Sequence, residues 1–197
     1  MKNFNVTGLC TPEEDYMVDI SGKMEQIMKM INEQCYFLIQ HERCYGKTTI
    51  LNEIKKRLEH EFICIKLDFE ELGNEIFESS EKFCSVFIKS IVTALEFTSA
   101  EKVYINQWTD YNINNIFDLG NHITKMCKDR KIVLMIDNAA MVCNNSRFLD
   151  FLGMLREKFI LRKTDKSYTF HSVIFSVMYD IKNIKLENSR HAPWNSI

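Results

Sequence analysis

Proline and glycine are scarce in this chain, which has two prolines and six glycines among 197 residues. That scarcity argues against a linker-rich or disordered protein, and the hydrophobic share of 46% is enough for a sizeable core. A chain of this length is expected to form one domain. An excess of one charge sign is lacking too, because the net charge is only −2. The composition therefore gives no indication of a nucleic-acid-binding surface.

The sequence also has no Cys-x-x-Cys pair among its seven cysteines. Several of them lie in apolar runs, where a free cysteine behaves as a small hydrophobic residue. This usage is typical of a reduced protein and argues against a disulfide scaffold or a zinc site. No apolar run is long enough to span a bilayer, and residues 1–6 lack the apolar region of a signal peptide. We therefore predict a cytoplasmic location and no membrane partner.

Residues 35–49 indicate a phosphate-binding loop, because a hydrophobic run leads through a polar turn into Gly-Lys-Thr-Thr and an amphipathic helix. In such a P-loop, backbone N–H groups at the helix N-terminus surround the phosphates of a nucleotide. Lys47 is placed to reach the β- and γ-phosphates, and Thr48 to ligate Mg²⁺. The full pattern G-x-x-x-x-G-K-[ST] begins with a glycine, and this chain has His41 there. Histidine adopts unusual backbone conformations more readily than β-branched residues do, so the loop can close differently.

The loop itself supplies further candidate ligands. Arg43 would stabilise phosphate charge by bidentate hydrogen bonding, or it is an ordinary solvated loop arginine. The residues that we predict to bind the nucleotide are His41, Arg43, Cys44, Tyr45, Gly46, Lys47, Thr48 and Thr49.

A carboxylate for the metal is expected at Asp137, which directly follows the apolar run of residues 132–136. Such a run is typical of a strand that is covered on both faces. A carboxylate at the tip of a buried strand is costly unless it has a function or a partner. Beside a P-loop that function is to hold Mg²⁺ together with Thr48. The alternative is an aspartate that caps the following turn.

The residue after Asp137 bears on catalysis. Many ATPases of this kind have Glu there to polarise the attacking water, and this chain has Asn138, which can orient a water but cannot accept its proton. Loss of a general base costs about 10²–10⁴-fold in rate, so the sequence supports nucleotide binding better than fast hydrolysis. Asp68 is the nearest replacement carboxylate by position. Ser176 would contact the γ-phosphate or the water, or it is a small core residue. The predicted catalytic residues are Lys47, Asp137, Asn138 and Ser176.

Strand and helix patterns alternate along the chain. Apolar residues at helical spacing predict helices over residues 19–33, 48–60, 80–97, 113–129 and 148–162, with Ser80 as an N-cap. Apolar runs predict strands over 36–40, 62–69, 132–136 and 172–178. Residues 98–112 have no clean period and are expected to form a loop or a broken helix. The alternation predicts a three-layer α/β fold, in which helices cover both faces of a parallel sheet. Ligands of such sheets bind at the carboxyl ends of the strands.

Together these features resemble the AAA-like P-loop ATPases of bacteria and archaea, in the STAND/AAA+ branch. The similarity covers most of the chain. The similar segments are residues 5–12 and 16–20 (the adenine-side segment), 43–49 (a modified Walker A), 132–137 (Walker B), and 148–152 with 172–174 and 179–183 (a helix and the sensor strand after it). The resemblance implies that Arg-x-x-Gly-Lys-Thr without the first glycine is usual, so His41 is no departure from this family.

Two departures from the family shape the expected function. The family normally has Glu at Asn138, and it continues past residues 193–195 into a helical lid and further domains. We expect residues 1–197 to be the nucleotide-binding domain only, with residues 1–20 beside the adenine and the lid absent or truncated after about residue 190. The expected function is binding of ATP and Mg²⁺ with slow hydrolysis, and possible self-association or a protein partner. The alternative is a pseudo-ATPase scaffold without turnover. A nucleotide kinase or GTPase is disfavoured, because no second substrate motif and no Asn-Lys-x-Asp motif are present.

Overall fold

The computed structural model describes residues 20–41, 46–109, 113–139, 145–164, 167–178 and 195–196. The helices in these ranges are α1 (Ser21–Asn32), α2 (Lys47–Leu58), α3 (Ser80–Leu95), α4 (Lys102–Thr109), α5 (Ile116–Cys127) and α6 (Ser146–Leu161). The strands are β1 (Tyr36–His41), β2 (Ile63–Asp68), β3 (Ile132–Asp137), β4 (Ser172–Met178) and β5 (Asn195–Ser196). Short 3₁₀ turns lie at Asn74–Phe77 and Arg162–Thr164.

The five strands form one sheet in the order β2-β3-β4-β1-β5, and every pair of neighbours is parallel. The predicted parallel α/β fold is confirmed. Strand β4 lies between β1 and β3, although it follows both of them in the sequence. Because parallel strands end at the same edge, the residues after β1, β2, β3 and β4 come together there.

Helices cover both faces of the sheet and bury two separate cores. The smaller core joins α1 and α2 to one face through Met24, Ile27, Leu51, Ile54, Phe37, Ile39, Met135 and Ile174. The larger core joins α3, α4, α5 and α6 to the other face, and its residues include Phe83, Phe87, Phe151, Leu155, Ile65 and Leu134. All six residues of β3 are buried, as expected for a continuous apolar strand covered on both sides.

The predicted N-cap of α3 is wrong by one residue. The N-cap is Ser79, not Ser80: Ser79 has extended backbone angles and its side chain accepts a 3.0 Å hydrogen bond from the Lys82 N–H. Ser80 is the first helical residue. Two consecutive serines offer the same capping oxygen, and only the backbone conformation distinguishes them.

The segment of residues 98–112 contains a helix, α4, which the sequence pattern left open as loop or broken helix. Tyr104 and Trp108, four residues apart, are its buried residues, and the Tyr104 hydroxyl donates to the Met126 carbonyl at 3.0 Å. Two buried aromatics in eight residues give little periodic signal. Within the described ranges, no helix is both long and apolar enough to cross a membrane.

Candidate functional site

The strand register gathers polar side chains at the carboxyl edge of the sheet. Asp68 pairs with Asp137 across β2 and β3, and Ser176 pairs with Ile39 across β4 and β1. Register partners in a parallel pair direct their side chains to the same face. Ile39 belongs to the core under α1 and α2, so Ser176 lies on the α2 face. Lys66, two residues before Asp68, hydrogen-bonds Asn52 of α2, so Asp68 and Asp137 lie on that face too.

Helix α2 begins at this edge with Gly46 as its N-cap. This residue has φ 72° and ψ 22°, a left-handed conformation that glycine adopts at little cost. Glycine has no side chain to cap the first N–H groups, and the first turn of α2 carries no acidic residue. The first N–H groups of a helix have no partner within the helix, and together with the helix dipole they make such an N-terminus suitable for an anion.

Thr48 and Asp137 connect α2 to the tip of β3. The Thr48 hydroxyl donates to Asp137 Oδ2 at 2.8 Å, and the backbone N–H of Asn138 donates to Asp137 Oδ1 at 3.0 Å. Each oxygen of this carboxylate, which is only 1% exposed, therefore has a donor. This pairing compensates for the burial of the charge.

Ser176 is fully buried, and its hydroxyl has no hydrogen-bond partner among the described residues. An unpaired buried hydroxyl costs about 1–3 kcal/mol. The residue lies on β4, between the strand that leads into the P-loop and the strand that ends at Asp137. A polar ligand at the edge of the sheet would satisfy this hydroxyl.

Asn138 extends toward the neighbouring strand. Its Nδ2 donates to both carboxylate oxygens of Asp68, at 2.9 and 3.1 Å. Its backbone has φ 55°, a left-handed conformation in which Asn is enriched among residues other than glycine. The contact gives a local reason for an amide at this position, which sequence reasoning had not supplied.

Lys66 is a functional candidate that sequence reasoning missed. Its Nζ donates to Asn52 Oδ1 at 2.9 Å. Burial lowers its pKa, while the negative charges of Asp137 and Asp68 act in the opposite direction. The signal in the sequence was a single lysine two residues before Asp68 in an otherwise apolar strand.

Several predicted site residues lie wholly or partly outside the described part of the chain. Arg43, Cys44 and Tyr45 lie outside the described residues, as do the side chains of His41 and Lys47. The backbones of His41 and Lys47 end β1 and begin α2, respectively, and Thr49 follows in the first turn of α2. The adenine-side segment was predicted over residues 1–20, and residues 1–19 of it lie outside the described residues, as does the chain over 179–194.

The fold and the order of its strands define the class: this is an α/β protein with a P-loop NTPase fold. Residues 11–191 match the family model described as the AAA-like domain, and the chain therefore belongs to that family. Among curated proteins, none matches the sequence.

Three solved structures are similar in fold. The ADP form of the Aeropyrum pernix ORC2 protein has a TM-score of 0.54 at 10% identity over 92% of this chain and 48% of the other. The ADPNP–ADP complexes of the same protein give 0.52 at 12% identity over 84% of this chain and 42% of the other. Drosophila ORC bound to AT-rich DNA and Cdc6 gives 0.50 at 9% identity, over 89% and 52%. This chain thus spans about half of each of those chains, and the likeness concerns the fold alone.

Proposed function

We propose that this chain binds ATP and Mg²⁺ as an AAA-like P-loop ATPase module, and that its hydrolysis of ATP is slow. The observation that carries the proposal is the 2.8 Å hydrogen bond between Thr48 Oγ1 and Asp137 Oδ2. It brings the first turn of the P-loop helix to the carboxylate at the tip of β3. A threonine hydroxyl and an aspartate carboxylate that lie side by side in the fold supply the hard oxygen ligands that Mg²⁺ prefers.

The phosphates would lie against the N-terminus of α2. The backbone N–H groups after Gly46 would bind them, with Lys47 neutralising the β- and γ-phosphates. Arg43 would add a bidentate contact, and His41, Cys44, Tyr45 and Thr49 would complete the loop. The buried hydroxyl of Ser176 would donate to the γ-phosphate or to the attacking water, which would give it the partner that the described residues do not provide.

A magnesium ion fits the residues present. Thr48 and Asp137 would hold it through oxygens that already lie at hydrogen-bonding distance. The ion would neutralise charge on the phosphates during transfer. Lys66, on the same face, would limit the repulsion between Asp68 and Asp137.

Slow hydrolysis is supported by Asn138. Its amide cannot take a proton from water, and its Nδ2 is engaged by Asp68. The missing general base accounts for a loss of about 10²–10⁴-fold. The same pair supports the second candidate, a nucleotide-binding scaffold without turnover, if Asp68 holds Asn138 away from the phosphates.

For partners and cellular location, the proposal names only a class of ligand, a mode of assembly and a compartment. The similar structures include a nucleotide-bound ORC2 and a multi-protein ORC complex on DNA, which supports nucleotide as the ligand and self-association as a mode of assembly. The net charge of −2 gives no support for DNA binding by this chain. We also propose that the protein belongs to the STAND/AAA+ branch and is cytoplasmic.

Calorimetry with Mg-ATP tests the proposal directly. The chain should bind, and Lys47→Ala should abolish or strongly weaken the affinity. Lys56→Ala is the matched control, because Lys56 is an exposed lysine on the same helix. Omission of Mg²⁺ should weaken binding by the chain and leave that of Asp137→Asn nearly unchanged. Absence of binding by the unaltered chain would refute the proposal.

A further inference from the structure

A cavity lies at the amino edge of the sheet, where β1, β3 and β4 begin, opposite the nucleotide site. Its walls come from the segments that precede these three strands, and its lining residues include Gln34, Arg130, Lys131 and His171. Its volume is about 470 Å³, which lies in the range of small-molecule sites. Strand β3 has six residues, and at about 3.3 Å per residue it separates this cavity from Asp137 by roughly 20 Å.

The lining of this cavity carries more positive than negative charge. Its described residues include three cations, Arg130, Lys131 and Arg162, and one carboxylate, Asp129. The cations belong to two segments that are about 30 positions apart in the chain and that the fold brings together. Like charges gathered in one place repel each other, and a concave site lined by one sign of charge attracts ions of the opposite sign. The cavity therefore favours an anion.

Arg162 forms part of the wall of the cavity. Its Nη1 donates to the carbonyl oxygens of Phe170 and His171 at 3.3 and 3.2 Å, and its Nη2 donates to the Gln34 carbonyl oxygen. The guanidinium thereby connects the chain before β1 to the chain at the start of β4. Because three carbonyl oxygens, which would repel an anion, are paired with this cation, the wall keeps its donors and loses free acceptors.

Arg130 is the lining cation that is best suited to hold a ligand. Its guanidinium lies over the Tyr104 ring, 4.0 Å from the centroid, and within the described ranges no carboxylate forms an ion pair with it. A guanidinium on an aromatic face retains N–H donors in a planar fork that matches phosphate oxygens. Lys131 has a carboxylate partner, Glu61, at 2.7 Å, but both side chains are largely exposed, and such pairs are weak.

His171 adds a nitrogen without a partner. It lines the cavity, and its Nε2 is buried with no hydrogen-bond partner among the described residues. Burial lowers the pKa of His171, while a hydrogen bond with the Ile31 backbone raises it. The charges of Lys131 and Arg162 lower this pKa further, and the charge of Glu61 raises it. An anion in the cavity would oppose the effect of both cations on the ring, so His171 can report on binding.

We propose that this cavity is a second phosphate-binding site, which takes a small phosphate monoester at the edge of the sheet opposite the P-loop. Arg130 and Lys131 bind the phosphate oxygens, and Arg162 holds the wall in place. Tyr168, a lining residue that is 49% exposed, offers an aromatic surface for a flat organic group beside the phosphate. A nucleoside monophosphate has both parts. The inference does not depend on the proposed ATP site.

The test uses NMR titration of the chain with Lys47→Ala, in which binding at the P-loop is weakened. Adenosine monophosphate, inorganic phosphate and adenosine are added separately, and the ring signals of His171 give each dissociation constant. Arg130→Gln removes the main phosphate contact. Lys128→Gln is the matched control, because Lys128 is exposed and is not among the described lining residues. Asp129→Asn removes the carboxylate and keeps a residue that tolerates the left-handed φ of 60°.

Adenosine monophosphate should shift the His171 signals and bind more tightly than phosphate, and adenosine should not bind measurably. Arg130→Gln should weaken both phosphate-bearing ligands by about tenfold or more, as expected for the loss of a charge-assisted contact. Lys128→Gln should change the affinities by no more than about twofold, because its charge is exposed and screened. Asp129→Asn should bind about two- to fivefold more tightly, a gain that a merely destabilised fold would not produce.

Two results would overturn the inference. One is the absence of His171 shifts with phosphate and with adenosine monophosphate, and the other is an equal affinity in Arg130→Gln and Lys128→Gln. Tyr168→Ala tests the organic part, since it should bring the affinity for adenosine monophosphate down to that for phosphate. If the difference between the two ligands survives this change, the assignment of the aromatic surface is wrong. Arg130→Gln should leave Mg-ATP binding by the otherwise unaltered chain intact, so failure of this site is distinct from failure of the ATP site.

Discussion

Thr48 and Asp137 are 89 positions apart in the chain, and the Thr48 hydroxyl donates a 2.8 Å hydrogen bond to the Asp137 carboxylate. The bond joins the first turn of α2 to the tip of β3. The helix follows β1, and β4 separates β1 from β3 in the sheet, so the bond connects parts of the fold that are not neighbouring strands. Any change that removes the hydroxyl should therefore affect both the fold and the candidate metal site.

Thr48→Ala should lower the free energy of unfolding by about 1–2 kcal/mol, since a buried carboxylate loses a charge-assisted hydrogen bond. Thr48→Ser keeps the hydroxyl and should lose less than half of that. Urea unfolding measures both values. Saturating Mg-ATP should stabilise the unaltered chain by about 2.7 kcal/mol at 100 times Kd, and stabilise Thr48→Ala much less. If Thr48→Ala and Thr48→Ser had the same free energy of unfolding and the same stabilisation by Mg-ATP, the hydroxyl would have no role.

Gly46→Ala should be destabilising because of its backbone and not because of crowding. Among the described residues, a Cβ added at Gly46 meets no atom closer than 4.0 Å, but φ is +72°, where an L side chain costs about 1–2 kcal/mol. Gly22→Ala is the control, because Gly22 lies in the first turn of α1 and a Cβ there meets no atom of the described residues within 4 Å. That change should be stabilising by up to about 1 kcal/mol. A neutral Gly46→Ala in urea unfolding would argue against the left-handed N-cap.

The sequence predicts most of what depends on local pattern. The apolar run before Asp137 correctly indicates the buried strand β3, and the alternation of strands and helices indicates the parallel sheet. Helix α4 lies in a segment left open as a loop or a broken helix, because only Tyr104 and Trp108 of its residues are buried. Strand β5 is two residues long, which is too short for a periodic signal.

Contacts between strands are harder to predict than the strands themselves. The bond from Asn138 to Asp68 depends on the register of β2 against β3, which no local pattern reports. Sequence reasoning could name Asp68 only as a nearby carboxylate. It also treated Asn138 as a simple loss of Glu, whereas the structure gives the amide a partner.

Replacing Asn138 with glutamate, the residue that the family normally has there, should not by itself restore fast hydrolysis. Asn138→Glu places a second carboxylate against Asp68, and two like charges about 4 Å apart repel by roughly 1–4 kcal/mol. It also puts Glu at φ 55°, a conformation in which Asn is favoured. We expect Asn138→Glu to be less stable in urea by at least about 1 kcal/mol, with little gain in kcat.

Exchange of the two groups should relieve that repulsion. Asp68→Asn combined with Asn138→Glu restores one amide and one carboxylate, so the double variant should regain stability relative to Asn138→Glu. It should also hydrolyse ATP faster than the unaltered chain, since the carboxylate then directly follows β3, which lies nearer than β2 to β1 and the P-loop. The control combines Asn138→Glu with Glu71→Gln, which removes a charge without touching the pair. Equal stability of the two double variants would disprove the predicted repulsion.

His122 should make the stability of the fold depend on pH. The residue is only 2% exposed and packs edge-on against Trp108, with ring centroids 5.3 Å apart. Burial lowers the pKa of His122 from 6.5 to about 4; a hydrogen bond with the Trp108 backbone acts in the opposite direction, and the nearby charge of Lys125 adds to the lowering. Between these values the unfolded chain binds a proton that the folded chain does not, so stability falls as the pH drops from 6.5 to about 4.

The loss should reach at most roughly 3 kcal/mol, since one pKa unit corresponds to about 1.4 kcal/mol. His122→Phe cannot be protonated and should flatten the pH dependence of unfolding in this range, whatever its effect on absolute stability. His60→Gln is the control, because His60 is exposed, and it should keep the slope of the unaltered chain. Urea unfolding at half-unit pH intervals measures all three slopes. If the slope of His122→Phe matches that of the unaltered chain, other groups must carry the acid sensitivity, and the buried neutral state of His122 would not govern it.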